Sequence, residues 1–175
     1  MDGRSAAALV TLLASVGTVQ AQVDLSRRVE QLEQAGRYEA AATLLSDAGE
    51  WEEAARIWRL AVERDERMSL GAVQVLEPVP PGRRDAVLRA VFRGREWHPV
   101  VNRFAAELLL TWGRPDEAWP MLDASLPADP SDAYQVLRRF ADKSGRLGTP
   151  LALRARGYAL ERMAEVSGDR EAVRL

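Results

Sequence analysis

The chain has 175 residues, is 47% hydrophobic but only 6% aromatic, and carries 24 basic against 26 acidic side chains, a formal net charge of -2. That length suits one domain whose core needs no metal or disulfide staple, and the interleaved, nearly balanced charge supplies no field to steer nucleic acid or an anionic membrane. With no Cys and a single His, the sequence excludes disulfides, thiol nucleophiles, thiolate metal sites and two-histidine metal sites.

Residues 5–19, SAAALVTLLASVGTV, are uncharged and mostly small or apolar; they follow Arg4 and lead to Val19-Gln20-Ala21. A short basic end, an apolar run too short to span a bilayer, and small residues one and three places before a cut after Ala21 predict an export signal over 1–21. The working domain is then 22–175, in the periplasm or at the cell envelope of a bacterium. Asp2 weakens the positive end and favours the competing reading, an Ala-rich first helix in a cytoplasmic protein.

Beyond the leader, Val23, Leu25, Val29 and Leu32 fall near helical spacing and predict a helix over 23–35. A second helix is expected over 38–48, stopped by Gly49, and a third from 50 to about 66, with Trp51, Ala54, Ile57, Trp58 and Ala61 on one apolar stripe. Residues 69–76 read as a fourth. The proline-rich stretch 77–82, with Pro78, Pro80 and Pro81, then removes amide donors and predicts an internal hinge or loop. Helices follow over 84–92, 100–112 and 116–125, with Pro120 straining or restarting the first turns of the last. Pro127 and Pro130 break the chain. Ser131 is the expected N-cap of a helix over 132–143, Thr149-Pro150 opens one over 151–166, and Gly168-Asp169 is expected to begin another. No strand signal occurs, and the predicted fold class is all-α.

One phrase recurs through these elements: a Gly, a polar residue, an aromatic or Pro, then an acidic and a small residue. It reads Gly36-Arg37-Tyr38-Glu39-Ala40, Gly49-Glu50-Trp51-Glu52-Glu53-Ala54 and Gly113-Arg114-Pro115-Asp116-Glu117-Ala118. A Gly that ends one helix just before the acidic start of the next punctuates antiparallel helix pairs. On these residues the chain resembles the tetratricopeptide repeat family. Tyr38, Ala42, Leu45, Ala54, Trp58 and Ala61 carry the resemblance in a unit over 35–68, and Ala106, Leu109, Gly113, Ala118, Leu122 and Asp129-Pro130 carry it over 99–132; a weaker unit begins at Gln22. The resemblance implies antiparallel hairpins stacked into a superhelix, irregular in the middle because 69–98 departs from the pattern.

Little chemistry accompanies this pattern. His98, placed before Pro99, reads as a helix opener, and there is no Gly-rich phosphate loop, nucleophile elbow or HExxH. Glu30 with Glu33 and Glu52 with Glu53 read as ion-pair partners of Arg27 and Arg56, and Arg83, Arg84, Arg89, Arg93 and Arg95 scatter round a helix without aromatics between them for base stacking. The five Trp read as packing residues. The expected protein is therefore not an enzyme, uses no metal or small-molecule cofactor and does not bind nucleic acid. It is a protein-interaction scaffold for a peptide or protein, or alternatively the docking or regulatory arm of an enzyme or a secretion or assembly complex whose catalytic part lies elsewhere. The resemblance implies a concave groove that includes Ser26, Glu30, Glu39, Thr43, Arg103, Glu107 and Tyr158. It also implies self-association through an uncapped repeat end. The basic and Asn set that clamps a C-terminal carboxylate in some members of the family is absent, which argues against an adaptor for chaperone tails.

Overall fold

A computed structural model describes residues 20–94 and 97–173, with side chains through residue 168. Helix α1 is described over 20–34; α2 (Tyr38–Asp47), α3 (Trp51–Arg64), α4 (Ser69–Leu76), α5 (Arg84–Val91), α6 (Pro99–Thr111), α7 (Pro115–Ala124), α8 (Pro130–Leu147) and α9 (Pro150–Val173) follow. Single 3-10 turns, Glu66–Met68 and Pro81–Arg83, lead into α4 and α5. No strand occurs among the described residues, so the all-α expectation holds. Most of the expected leader, residues 1–19, lies outside the described residues, as does Arg95.

The recurring Gly phrase has one structural meaning at all three sites. Gly36, Gly49 and Gly113 sit at φ of 70°, 76° and 76°, a left-handed conformation that a side chain would strain. At Gly49 the amide donates to the Ser46 carbonyl (3.0 Å) and the next amide, Glu50, to Leu45 (2.9 Å); Gly36 with Arg37, and Gly113 with Arg114, repeat the pair of bonds. This double closure satisfies the last carbonyls of the ending helix. The residue after each Gly then opens the next helix from a matching backbone conformation, at φ/ψ of -91°/59°, -84°/61° and -113°/58°. Three residues therefore suffice to reverse the chain at each site, and α2 packs on α3, and α6 on α7, as antiparallel pairs. The α8–α9 pair is joined through Gly148, at φ 64°. At the other ends, α6, α7, α8 and α9 all start on a Pro, whose missing amide is one that a helix start leaves unpaired.

The central stretch departs from this scheme. Helix α4 packs on α2, α3 and α6, while α5 packs on α3 and α6, so the two are not a tightly apposed pair like their neighbours. Of the two expectations for the proline-rich stretch between them, the loop holds over 77–80, and it is anchored to the core instead of left free as a hinge. Val79 is only 1% exposed and joins the core, and its amide bonds to Leu76. The Arg84 guanidinium donates to the carbonyls of Val79 and Trp112 (3.2 Å each) and lies over the Trp112 ring, whose Nε1 donates to the Leu76 carbonyl (3.3 Å). The turn is clamped to the end of α6.

Two apolar cores result, and α6 divides them. Val101, Phe104, Ala105 and Leu108 face one core with Ile57, Trp58, Leu76 and Val87; Ala106, Leu109 and Leu110 face the other with Leu122, Leu137, Phe140 and Ala159. A helix enclosed on both sides must be apolar nearly all round, which explains why eight of its 13 residues are buried.

Several boundaries correct the sequence reading. Asp129, not Ser131, caps α8: its carboxylate accepts from the Ser131 and Asp132 amides at 2.8 and 3.0 Å, with Pro130 as the first helical residue. Helix α8 runs on to Leu147 and ends at Gly148, φ 64°; Gly145 stays helical and leaves room for the Arg156 side chain of α9. Gly168 does not break α9, which is continuous from Pro150 to Val173. Pro120 does not restart α7; it sits inside the helix on an exposed side, and the carbonyl that it leaves without an amide belongs to Asp116, itself exposed. Trp58 and Trp112 are buried and Trp51 and Trp119 half-buried, but Trp97 is 58% exposed and is no core residue.

Candidate functional site

Helix α2 turns Ala41, Ala42, Leu45 and Ser46 into the core, which leaves Glu39, Thr43 and Asp47, one helical turn apart, on its opposite face. Beside that face runs an open groove of about 860 Å³, bounded across from α2 by the end of α3 and the turn into α4. Tyr38, Ala40, Leu44, Ala61 and Met68 give it an apolar floor, and Arg37, Glu39, Asp47, Arg64 and Asp65 give it a rim of both charge signs. Gly36 contributes by its lack of a side chain: a Cβ there would lie 3.4 Å from Nη1 of Arg64, which extends over it.

The other expected groove residues lie elsewhere. Ser26 and Glu30 line a separate cleft of about 240 Å³ at the seam of α1 with α3, together with Leu45, Glu50 and Glu53. The Ser26 hydroxyl donates back to the Gln22 carbonyl at 2.9 Å, and Glu30 accepts from Gln34 at 3.3 Å. The seam is tied by Gln22 donating to Glu50 (3.2 Å) and by Arg56, which bridges Glu33 (3.0 Å) and Glu53 (2.7 Å). Arg56 thus pairs with two of the four expected carboxylates; Glu52 pairs with Arg83 of the turn into α5 instead.

Arg103 and Glu107 share a face of α6, but both are engaged. Arg103 forks onto the Glu66 carboxylate at 2.8 and 2.9 Å, and its third nitrogen donates to the Ser125 carbonyl at 2.5 Å. Glu107 accepts from the Ser69 hydroxyl at 3.3 Å, while the Thr111 hydroxyl one turn on donates to the Glu107 carbonyl and accepts from Lys143 Nζ at 2.6 Å. A polar ladder therefore crosses α4, α6 and α8. Lys143, the only lysine, is half-buried in it; burial pulls its ammonium below the ordinary lysine range, and Glu107 and Glu77 oppose that shift. Tyr158 lies apart from all of these, on α9, in ring contact with Trp119 at 6.0 Å, which in turn meets Phe140 at 5.8 Å.

Comparison of the chain with protein-family models, with curated proteins and with solved structures returns no match.

Of the seven expected residues, only Glu39 and Thr43 line the large groove. Sequence reasoning missed Asp47, although it continues the spacing of Glu39 and Thr43, and it missed Leu44, Arg64 and Met68 because a groove floor shared by two helices and a turn has no local signature. His98 opens α6 as expected, its carbonyl accepting from the Asn102 amide at 2.9 Å. Among the described residues no cluster of His, Cys, Asp or Glu could hold a metal ion, and no helix is long and apolar enough to cross a membrane.

Proposed function

We propose that this chain is a non-catalytic protein-interaction scaffold of tetratricopeptide-like architecture, and that the groove beside α2 seats an amphipathic segment of a partner protein. The observation that carries the reading is the pairing of an apolar floor, with Leu44 and Met68 open to a ligand, and a rim of both charge signs. An apolar side chain of the segment would lie between Leu44 and Met68, and its flanking charges would meet Arg37 and Arg64 on one side and Glu39, Asp47 and Asp65 on the other. The matched Gly turns support the stacked-hairpin part of the reading. With the leader expected over 1–21, the proposal extends to a scaffold that works in the periplasm or at the cell envelope.

A photo-crosslinking residue installed at Thr43, compared with one at Glu30, tests the assignment in cells. The proposal expects a partner adduct from position 43 that Leu44→Glu abolishes, and none from position 30. Adducts from position 30 alone, or adducts from position 43 that survive Leu44→Glu, would refute it.

A further inference from the structure

Helix α9 packs on α7 and α8, with Ala155, Ala159 and Val166 in their shared core and Ala152 also buried, and presents a second apolar line on its far side. Leu153, Gly157, Leu160 and Ala164 follow one another at four, three and four residues, the spacing of one helical face. Leu153 and Leu160 are 48% and 46% exposed, and a Cβ on Gly157 would meet nothing within 4 Å. No described residue covers this line.

The charges beside it say what fits there. On one flank Arg154 lies in the N-terminal half of the line, and Glu161 and Glu165 lie in the C-terminal half; neither Arg154 nor Glu161 has an ion-pair partner among the described residues, and Glu165 pairs only with Arg162 of its own helix. A flank that runs from basic to acidic is complementary to itself when reversed. We propose that a second copy of this chain occupies the face, with two α9 helices packed antiparallel about a two-fold axis at Leu160.

The register follows from the helix repeat. With Leu160 meeting Leu160 of the second copy, Gly157 comes within one residue of direct opposition to Ala164, the neighbour on the same face, and these small residues let the axes approach to about 8 Å beside the leucines. A two-fold perpendicular to the helices sets each flank beside the same flank of its mate, running the opposite way. Arg154 then comes within one residue of direct opposition to Glu165 of the second copy, twice over, and Glu161 lies one turn from the same Arg. One helix pair buries less than the roughly 1,200 Å² of a standard stable interface, so the pairing belongs to the weak, concentration-dependent class. This inference stands on α9 alone and is independent of the groove beside α2.

The absence of cysteine makes the test direct. Leu160→Cys, oxidised at high micromolar concentration, is expected to give a disulfide-linked dimer. Leu153→Cys is expected to stay monomeric, since its two copies would lie about 20 Å apart along the axis at 1.5 Å per residue. In the Leu160→Cys background, Arg154→Glu or Glu165→Arg alone should cut dimer yield several-fold, and the two together should restore it. A monomeric Leu160→Cys protein with an unchanged helical spectrum would overturn the proposal. So would equal crosslinking at residue 153, or a double reversal no better than either single one.

Discussion

Residues 39, 43 and 47 on α2 and residues 103, 107 and 111 on α6 are set at the same four-residue spacing on the first helices of two similar hairpins, yet they have opposite fates. On α2 the triplet Glu39, Thr43 and Asp47 faces the open groove. On α6 the triplet Arg103, Glu107 and Thr111 is spent on Glu66, Ser125, Ser69 and Lys143. The difference lies in the neighbours. Helix α6 receives polar side chains from α4 and α8, Ser69 and Lys143, on the face that carries its triplet, whereas α1 meets α2 near Leu45 and the face of Glu39, Thr43 and Asp47 opens on the groove. A shared position in a hairpin therefore does not make a residue available to a partner; the adjoining helices decide that.

The largest test of this contrast concerns what each helix is for. Phe104 is fully buried at the seam of α6 with the larger core, and Phe104→Ala should cost about 3–5 kcal/mol of unfolding free energy. Leu44, half-exposed in the groove floor, should cost clearly less on truncation to Ala while lowering partner capture. Urea unfolding of the two variants measures the gap. Equal losses would mean that the groove floor is structural packing and not a surface kept open.

A smaller effect separates the two polar triplets. Arg103→Ala removes the fork onto Glu66 and leaves the buried Ser125 carbonyl without its guanidinium donor, a loss of about 1–3 kcal/mol. Glu39→Ala, with no such duty, should shift stability by no more than about 0.5 kcal/mol. Thermal unfolding resolves both. An Arg103→Ala protein as stable as wild type would return Arg103 to the set of residues free to bind a partner.

The sequence disclosed local events well and long-range ones poorly. The turns at Gly36, Gly49 and Gly113 were legible because a left-handed residue and a following helix start are written within six positions. The opening of α9 at Thr149-Pro150 was legible for the same reason, while the starts of α6, α7 and α8 fall one or two residues before those expected, on Pro99, Pro115 and Pro130. Gly168 misled, since a glycine in an exposed helix costs only about 1 kcal/mol and the flanking turns of α9 outweigh it. Ser131 misled because Asp129, two residues earlier, offers a charged acceptor and lets Pro130 take the first helical place. The loop over the proline-rich stretch was legible, but its anchoring was not, because nothing local shows that Arg84 and Trp112, the latter about 30 residues on, clamp it. Candidate site residues fared worst: helical register brought Glu39 and Thr43 to one face, but whether that face is open depends on α3 and the turn into α4.

The finest test uses the one titratable group in the α6 ladder that burial visibly displaces. Lys143 has its folded pKa lowered, chiefly by desolvation and against the pull of Glu107 and Glu77, while in the unfolded chain it titrates near 10.4. Between those two values the unfolded state binds more protons than the folded one, so stability rises with pH across that window. Below the folded pKa the buried ammonium is charged in both states and its desolvation cost is borne in full. Lys143→Met removes the group while keeping the length of the apolar stem, and the stability difference between wild type and variant should therefore move in favour of wild type as the pH is raised through the window. A difference that stays flat from pH 8 to 10.5 would mean that Lys143 is solvated in solution, and that the face of α6 is as open as the face of α2.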